Sequence, residues 1–473
     1  MTSQQFYSVL RQHFPFQPTV KQDIFLQQIA DFVTNKNSEE IFVLKGYAGT
    51  GKTTVISTIV NNLAAINKKY VLLAPTGRAA KVIANYSNKD AFTIHKKIYY
   101  PKKGKSGGVS FTMKENKHTN TIFIVDESSM ISDVNSEAKL YENGSLLDDL
   151  MMYVYNGKNC KLILLGDTAQ LPPVQLEESP ALDTQALSLH YNKEVFSIEL
   201  DEVMRQEEKS GILYNATELR ELLKSDFVDT FQFKLNGFKD IVRLTDGYDI
   251  QDAIQTAYSH YSIEDTCFIV RSNKRANQYN QQIRTKILDK DSELSVGDYL
   301  MVVKNNYFWL KETDEAGFIA NGDIVEVMQI FGFKELYGFH FAKVKLRMVD
   351  YPNQRPIETI VLLDTLTSES PSLTYEESNK LYQEVMKDYE GEAQYRKFLK
   401  VKNNEYFNAL QVKFSYAVTC HKSQGGQWNT VFIEQPYLPN GIDVDYVRWL
   451  YTAVTRAKDK LYLIGFRNES FEE

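Results

Sequence analysis

The chain has 473 residues, which is enough for three or four domains that each bury a core. Hydrophobic residues make up 43% and charged residues 24%, the balance of an ordinary globular protein, and no long apolar run indicates a membrane span. The net charge of −7 argues against a protein that coats nucleic acid through bulk electrostatics, but it permits a basic channel inside an acidic body. The three cysteines are far apart and the first residues lack a secretory signal, so we expect a cytoplasmic protein without disulfides or a zinc site.

The first part of the chain alternates short β-rich runs with helical patterns. Each run ends at Gly, Pro or Asp, and the runs lie at 41–44, 70–74, 121–125 and 161–165. This arrangement is typical of buried parallel strands whose carboxyl-end loops carry function. The stretch 99–111 is basic and rich in glycine, with aromatic flanks, and it predicts a hairpin inserted in the first domain.

A second α/β pattern begins near residue 200. It includes a predicted strand at 267–270 and a predicted helix at 276–288. Residues 296–350 are β-rich with glycine punctuation, which predicts a small barrel, and 371–407 have a charged helical pattern. Strand-type segments return at 414–418, 430–433 and 460–465. The simplest arrangement is therefore two α/β domains, with an insertion that splits the second.

Residues 46–53 match G-x-x-x-x-G-K-[ST] between a predicted strand and a helical pattern. The glycines let backbone N–H groups turn toward phosphates, and the helix N-terminus adds the positive end of its dipole. Lys52 is placed to reach the β- and γ-phosphates, and the Thr53 hydroxyl to hold Mg²⁺. The sequence therefore predicts an ATP-binding loop. Its candidate contacts are Gly46, Ala48, Gly49, Thr50, Gly51, Lys52, Thr53 and Thr54.

The acidic pair Asp126 and Glu127 directly follows the predicted strand at 121–125. An Asp at a strand end beside such a loop binds Mg²⁺, directly or through water. The adjacent Glu can orient and deprotonate the attacking water. Alone, the pair would indicate only a solvated loop. Beside a phosphate-binding loop, Asp126 is predicted to be a metal ligand and Glu127 the catalytic base.

Six further segments resemble, in the right order, motifs of the superfamily-one helicases of class B, the RecD-like and Dda-like group. They are residues 74–81 (motif Ia), 93–95 (the next segment that contacts the single strand), 166–174 (motif III), 203–206 (motif IV), 416–425 (motif V) and 451–457 (motif VI). The matching pieces extend from residue 19 to 458. The resemblance implies two RecA-like P-loop domains in tandem, with a hairpin (the pin) inserted in the first and an SH3-like barrel inserted in the second.

The resemblance also implies the domain bounds and the activity. The first RecA-like domain takes residues 1–95 and 121–199 with the pin at 96–120, and the second takes 200–290 and 409–473 with the inserted domain at 291–408. The expected activity is ATP-dependent translocation on single-stranded DNA, 5′ to 3′, with unwinding at forks, by a monomer that uses ATP and Mg²⁺. The alternatives are a nucleotide-gated ATPase that binds or remodels nucleic acid without unwinding it, and a motor directed to RNA.

Further roles in the nucleotide site come from the resemblance. Gln170 is expected to sense the γ-phosphate. Arg205 and Arg456 are expected to stabilise the charge of the transferred phosphoryl group from the second domain. Gly425 is a further nucleotide contact, and Gln22, preceded by Thr19, resembles the adenine-reading glutamine of the family. A plain polar helix residue is the alternative for Gln22.

The resemblance implies contacts to the backbone of single-stranded DNA that ignore base sequence. The candidates are Pro75, Thr76, Arg78, Lys81, Thr93, His95, Thr419, His421, Lys422 and Ser423. His95 and His421 could instead be ordinary buried polar residues. In the pin, Tyr99, Tyr100 and Phe111 either stack on the last base pair or pack the hairpin onto its own domain. The sequence shows no nuclease-type carboxylate cluster, so no strand cleavage is expected.

Overall fold

The computed structural model describes residues 1–103, 109–134, 144–203, 209–225, 228–311, 314, 316–439 and 441–472, and the side chains of 101–103 and 109–111 lie outside the described part. Within these residues, no helix is both long enough and apolar enough to cross a membrane.

The first half is built on a parallel sheet. Its strands are β1 (Glu40–Gly46), β2 (Lys69–Ala74), β3 (Ala91–Thr93), β4 (Tyr99–Lys103), β5 (Val109–Met113), β6 (Thr121–Val125), β7 (Lys161–Gly166) and β8 (Glu194–Leu200). Its helices are α1 (Ser3–His13), α2 (Val20–Thr34), α3 (Lys52–Asn62), α4 (Gly77–Ser87), α5 (Ile94–Ile98), α6 (Leu146–Tyr155) and α7 (Thr184–Tyr191). Six strands pair in the order β3-β2-β6-β7-β1-β8, all parallel, while β4 and β5 form an antiparallel hairpin.

The central strands of this sheet are buried on both faces. Every residue of β6 and β7 is buried, as expected for parallel strands covered by helices on either side. Two helices of this half have side-chain caps at their N-termini. Thr19 and Gln22 form a capping box at α2, and the Thr76 side chain accepts from the Ala79 N–H at α4. Because the six strands are parallel, all loops at their carboxyl ends meet at one edge of the sheet.

The second half contains a second parallel sheet and a barrel. Its strands are β9 (Ile241–Leu244), β10 (Thr266–Val270), β11 (Tyr299–Val302), β12 (Ile324–Leu336), β13 (Phe339–Met348), β14 (Ile357–Leu362), β15 (Leu410–Phe414), β16 (Ala417–Thr419), β17 (Trp428–Glu434) and β18 (Ala457–Ile464). Its helices are α8 (Gly211–Leu222), α9 (Gly247–His260), α10 (Asn273–Lys286), α11 (Asp364–Thr367), α12 (Tyr375–Lys387), α13 (Gln394–Lys402), α14 (Cys420–Ser423) and α15 (Val444–Val454).

The pairing of these strands confirms the predicted fold class. The sheet has the order β16-β10-β17-β18-β9 with all neighbours parallel, and β11 to β15 close into a five-stranded barrel. The charged helical pattern at 371–407 corresponds to α12 and α13. The chain therefore consists of two α/β sheets in tandem, with a hairpin inserted in the first and a barrel inserted in the second.

The prediction of one strand at 414–418 is wrong. β15 ends at Phe414 and pairs with β11 in the barrel, whereas β16 starts at Ala417 and pairs with β10 in the sheet. The amide of Asn280 spans the break: its Nδ2 donates to the carbonyls of Phe414 (3.1 Å) and Ala417 (2.9 Å), and its Oδ1 accepts from the Ala417 N–H (2.7 Å). Residues 410–414 thus close the barrel. The predicted domain bound at 409 had assigned them to the second α/β domain instead. The other domain bounds stay predictions.

Candidate functional site

The loop between β1 and α3 has the backbone of a phosphate cradle. Gly49 and Gly51 have φ angles of +73° and +79°, which L side chains rarely adopt, so both positions require glycine. A Cβ on Gly46 would come within 2.9 Å of the Lys52 side chain. The Thr50 side chain is buried and donates to the Tyr47 carbonyl at 2.8 Å, which fixes the turn. The three glycines and Thr50 therefore shape the loop, and α3 begins directly behind it.

Lys52 lies folded against this loop. Its Nζ donates to the carbonyls of Gly46 and Tyr47, the second at 2.9 Å. Among the described residues, no carboxylate pairs with it within salt-bridge distance. The ammonium group is thus held by groups that a phosphate can replace, which leaves its charge free for a ligand.

A cavity of about 1000 Å³ opens in front of the loop. From the first half it is lined by predicted site residues: Ala48, Gly49, Gly51, Lys52, Thr53, Thr54, Asp126, Glu127 and Gln170. From the second half it is lined by Ser210, Ile212, Leu213, Gln427, Thr455, Arg456, Ala457 and Lys458. The cavity is therefore a seam between the two α/β halves, with the cradle on one wall.

The two carboxylates at the end of β6 share this cavity. Glu127 sits at a φ of +52°, and its backbone N–H donates to Asp126 Oδ1 at 2.9 Å. Burial raises the pKa of both carboxyls, and for Glu127 the nearby charges of Asp126 and Asp167 add to the effect while Arg456 and Lys52 oppose it. Crowded carboxylates of this kind suit a divalent cation, which would relieve their repulsion.

Arg456 forms part of the far wall. Its side chain is only 3% exposed and donates to the Thr452 carbonyl (2.9 Å), the Gly426 carbonyl (3.2 Å) and Thr455 Oγ1 (3.0 Å). These three acceptors are neutral, so none of them neutralises the positive charge of the guanidinium at the cavity. It is placed to act on Glu127 and on a phosphate across the seam.

Gln170 lies past the end of β7 and is 5% exposed. Its Oε1 is buried and lacks a hydrogen-bond partner within the described part of the chain. A buried amide oxygen without a partner is costly, so the position fits a side chain that bonds to a ligand or to a water in the cavity.

Gln22 and Gly425 do not line the cavity. The Gln22 side chain is 1% exposed; its Oε1 accepts from the Thr19 N–H at 3.0 Å and its Nε2 donates to the Thr50 carbonyl at 2.9 Å, so it supports the loop from behind. Gly425 instead packs on the first half: a Cβ there would come within 2.9 Å of the Ala79 Cβ and 3.2 Å of Thr76 Oγ1. The nucleotide contact of Gly425 stays a prediction. Arg205 lies outside the described residues.

Two cations of the predicted DNA track, Arg78 and Lys81, lie together where the barrel and the second half meet α4, and a third, Lys422, contacts the barrel. The Arg78 guanidinium stacks 4.2 Å over the Trp428 ring. Lys81 Nζ pairs with Asp350 Oδ1 at 3.3 Å and donates to the Val349 carbonyl at 3.0 Å. Lys422 Nζ donates to Asn321 Oδ1 at 2.6 Å. The structure thus brings motifs Ia and V to one surface, where protein groups already bind their cations.

Several other track candidates are buried or used as caps. The Thr76 and Thr93 hydroxyls cap α4 and α5, and Ser423 is fully buried with its Oγ donating to the Cys420 carbonyl. Direct DNA contact through the Ser423 side chain is therefore wrong, because the hydroxyl has no exposed surface. Burial lowers the pKa of His95 to about 4, and it also lowers the pKa of His421. Pro75 and Thr419 are partly exposed.

The aromatic residues predicted for the hairpin lie in different environments. Tyr99 is 2% exposed and its hydroxyl donates to Asp149 Oδ2 at 2.7 Å, so it packs the hairpin onto its own domain and the wedge role predicted for it is wrong. Tyr100 is 51% exposed, with Lys114 Nζ 4.9 Å from its ring centroid, and stays a candidate. The side chain of Phe111 lies outside the described part.

Sequence reasoning missed the residues that join the two halves at the site. Asp167 is 1% exposed and lines the cavity, and Tyr451 of α15 bonds to it across the seam. At the other end of the cavity, Pro15 and Phe16 offer an apolar rim, and the Phe16 ring is 45% exposed. Asp167 stood within the motif III match, but only the fold shows which side chain it meets.

Comparisons with known proteins agree with this geometry. An AAA domain model matches residues 28–176, and a UvrD-like helicase C-terminal domain model matches residues 414–464. The ATP-dependent DNA helicase dda of Enterobacteria phage T4 is 25% identical over 91% of this chain and 95% of its own length. The ATP-dependent RecD2 DNA helicase of Deinococcus radiodurans is 30% identical over 37% of this chain and 21% of its own length.

Among solved structures, the Pif1 helicase from Bacteroides in complex with ADP-AlF3 and ssDNA covers 96% of this chain and 94% of that chain, at 16% identity and a TM-score of 0.47. The two domain models fall on the two halves of the seam, and the phage relative aligns across both. Together with the ordered motifs from Gly46 to Arg456, these matches support the similarity of the chain to the RecD-like and Dda-like helicases of superfamily one.

Proposed function

We propose that this protein is an ATP-dependent DNA helicase that moves along single-stranded DNA in the 5′ to 3′ direction and unwinds forks. The observation that carries the proposal is the seam cavity, which has Lys52 of the phosphate cradle on one wall and Arg456 on the other. Hydrolysis builds up charge on the transferred phosphoryl group, and cations from two separate bodies stabilise it best when the bodies close together.

The cradle residues fit ATP with Mg²⁺. The triphosphate would lie along the loop N–H groups at the start of α3, with Lys52 leaving the loop carbonyls to pair with it. Thr53 and Asp126 would hold Mg²⁺, which supplies charge neutralisation on the phosphates. The apolar rim at Pro15 and Phe16 offers a surface for the base. The side-chain amide of Gln22 supports the phosphate loop from behind. Its adenine-reading role remains a prediction.

The chain's own residues supply the remaining chemistry. Glu127 takes a proton from the attacking water, since its carboxylate faces the cavity and its raised pKa makes it a better base. Gln170 offers an unpaired amide oxygen that can orient that water. Arg456 stabilises the developing charge, and Arg205 would join it from motif IV.

Movement follows if closing of the seam shifts one half of the track relative to the other. Arg78 and Lys81 belong to the first half and Lys422 to the second, so the track spans the same two bodies as the ATP site. Contacts to the sugar-phosphate backbone let such a motor step without regard to base sequence. Both walls belong to one chain, which supports action as a monomer.

The test combines ATP hydrolysis with an unwinding assay. We expect ATP turnover to rise on addition of single-stranded DNA, and a fork with a 5′ tail to be separated under single-turnover conditions with a trap strand. Preference for a 3′ tail would overturn the polarity. Stimulated turnover without strand separation would instead support a clamp or remodelling ATPase, and stronger stimulation by poly-U than by poly-dT would indicate an RNA motor.

A further inference from the structure

Helix α15 of the second half makes three hydrogen bonds to the loop that follows β7 in the first half. The Tyr451 hydroxyl donates to Asp167 Oδ2 (2.7 Å), the Leu171 N–H donates to Thr452 Oγ1 (2.8 Å) and Arg448 Nη1 donates to the Thr168 carbonyl (3.0 Å). Two neighbouring bonds also cross the seam: the Tyr451 hydroxyl accepts from the Ala48 N–H of the phosphate cradle (3.0 Å), and Gln424 Nε2, from motif V, donates to the Leu171 carbonyl (2.7 Å). The loop after β7 carries Gln170.

The Tyr451 hydroxyl both donates and accepts a hydrogen bond. The side chain is 1% exposed, and the hydroxyl proton goes to Asp167 while an oxygen lone pair receives the Ala48 N–H. Asp167 is equally buried, and its other oxygen accepts from the Ala169 N–H at 2.9 Å, next to Gln170. An unbroken line of hydrogen bonds therefore runs from the phosphate cradle through α15 to the Gln170 loop.

The Ala48 N–H is a group that a phosphate oxygen would compete for. Backbone N–H groups of such a loop are the donors that cradle phosphates, and Ala48 lines the cavity. A phosphate that took this donor would remove one of the two hydrogen bonds of the Tyr451 hydroxyl, while the bond to Asp167 would still hold it to the first half. Arg456 follows directly on α15, so any movement of Tyr451 that displaces the helix also displaces Arg456.

We propose that Tyr451 is a positioning residue for ATP hydrolysis, whose hydroxyl links the phosphate cradle at Ala48 to Asp167 and so sets Gln170 and Arg456 together at the cavity. The inference rests on the proposed ATPase function and adds a residue to it. Tyr451 does not touch the reacting atoms; it acts through the Gln170 loop and through α15.

The main test is Tyr451→Phe, which keeps the ring in the hydrophobic core and removes only the hydroxyl. With saturating single-stranded DNA we expect kcat for ATP hydrolysis to fall by about tenfold or more while KM changes by less than about threefold, because the loss lies in positioning and not in ATP binding. The matched control is Tyr446→Phe on the same helix, whose hydroxyl donates to Gln435 Oε1 at 2.6 Å within the second half. The control should keep kcat.

A double-mutant cycle tests the link itself. Asp167→Asn replaces one of the two accepting carboxylate oxygens by an NH2 donor and removes the charge, so it cannot keep both the bond from Tyr451 and the bond from the Ala169 N–H; we expect Asp167→Asn combined with Tyr451→Phe to be no slower than the slower single variant. Multiplied losses in the double variant would overturn the link. So would an unchanged kcat in Tyr451→Phe with only a lower melting temperature, which is the result of a purely structural role.

Loss of the proposed function and loss of the Tyr451 role alone give different results. If the parent protein shows no ATP turnover with or without single-stranded DNA, the proposed function fails and this inference fails with it. If the parent is stimulated by DNA and Tyr451→Phe is stimulated equally, the function stands and only the role of Tyr451 is lost.

Discussion

Lys52 and Arg456 line one cavity of about 1000 Å³ from opposite halves of the chain, although 404 positions separate them in sequence. Lys52 is held by loop carbonyls and Arg456 by neutral oxygens of its own half. Neither cation is neutralised by a carboxylate within salt-bridge distance in the described residues, so both charges are available to a triphosphate between them.

Replacing Lys52 by Ala is expected to abolish ATP hydrolysis and leave the fold intact, because its bonds go to carbonyls that water can satisfy. Steady-state turnover with single-stranded DNA and a thermal melt measure the two effects. Lys36→Ala, at an exposed lysine just before β1, is the matched control. Turnover retained in Lys52→Ala would mean that the loop does not bind the phosphates.

Replacing Arg456 by Ala should spare ATP binding and slow hydrolysis by a factor on the order of 10³, as for arginines that stabilise phosphoryl transfer. Since the side chain is buried and makes three hydrogen bonds, Arg456→Lys serves as a second variant that keeps the charge and much of the packing. Single-turnover hydrolysis and binding of a fluorescent ATP analogue separate the two effects. Arg467→Ala, at an exposed position, should have neither effect, and an unchanged rate in both Arg456 variants would reduce that residue to a structural one.

The pH dependence of hydrolysis should report Glu127. The base works in its ionised form, so activity is lost as the pH falls through its pKa; burial raises that pKa, which moves the loss to higher pH than for an ordinary glutamate, whose pKa is about 4.3. Glu127→Gln should abolish hydrolysis and leave ATP binding, while Glu194→Gln on exposed β8 should keep the parent profile. A kcat/KM that stays flat down to the ordinary glutamate range would contradict the assignment.

The Lys81–Asp350 ion pair should compete with DNA. Asp350 is 2% exposed in its side chain and its Oδ2 has no hydrogen-bond partner within the described residues, so Asp350→Asn removes the negative charge opposite Lys81 at small structural cost. We expect tighter binding of single-stranded DNA and a steeper dependence of affinity on salt, since Lys81 then neutralises a phosphate. Asp364→Asn removes a barrel carboxylate that pairs with His340 instead, and it should leave both quantities unchanged. Equal affinities for the two variants would exclude Lys81 from the track.

Local sequence was enough to predict the cradle and its carboxylates, because their geometry depends on a strand end, a glycine turn and a helix start that lie together in the chain. It was not enough for contacts between distant segments. Nothing near Tyr451 indicates that its hydroxyl meets Ala48, which lies 403 positions earlier. The break between β15 and β16 was not predicted for a similar reason. It is bridged by the side chain of Asn280, which belongs to the distant helix α10. Burial of Tyr99 and Ser423 likewise depends on packing that local sequence does not reveal.

The chain enters and leaves the barrel through two neighbouring strands. β11 and β15 pair antiparallel, with Leu300 opposite Phe414, so the long excursion between them begins and returns at one place. The barrel is therefore inserted at one point of the sheet, and its core continues into the core beneath β10 and β17. The paired strands β17 and β18 come after the barrel in the chain, and Arg456 directly precedes β18, so the length of the barrel loops does not enter the register that places this arginine.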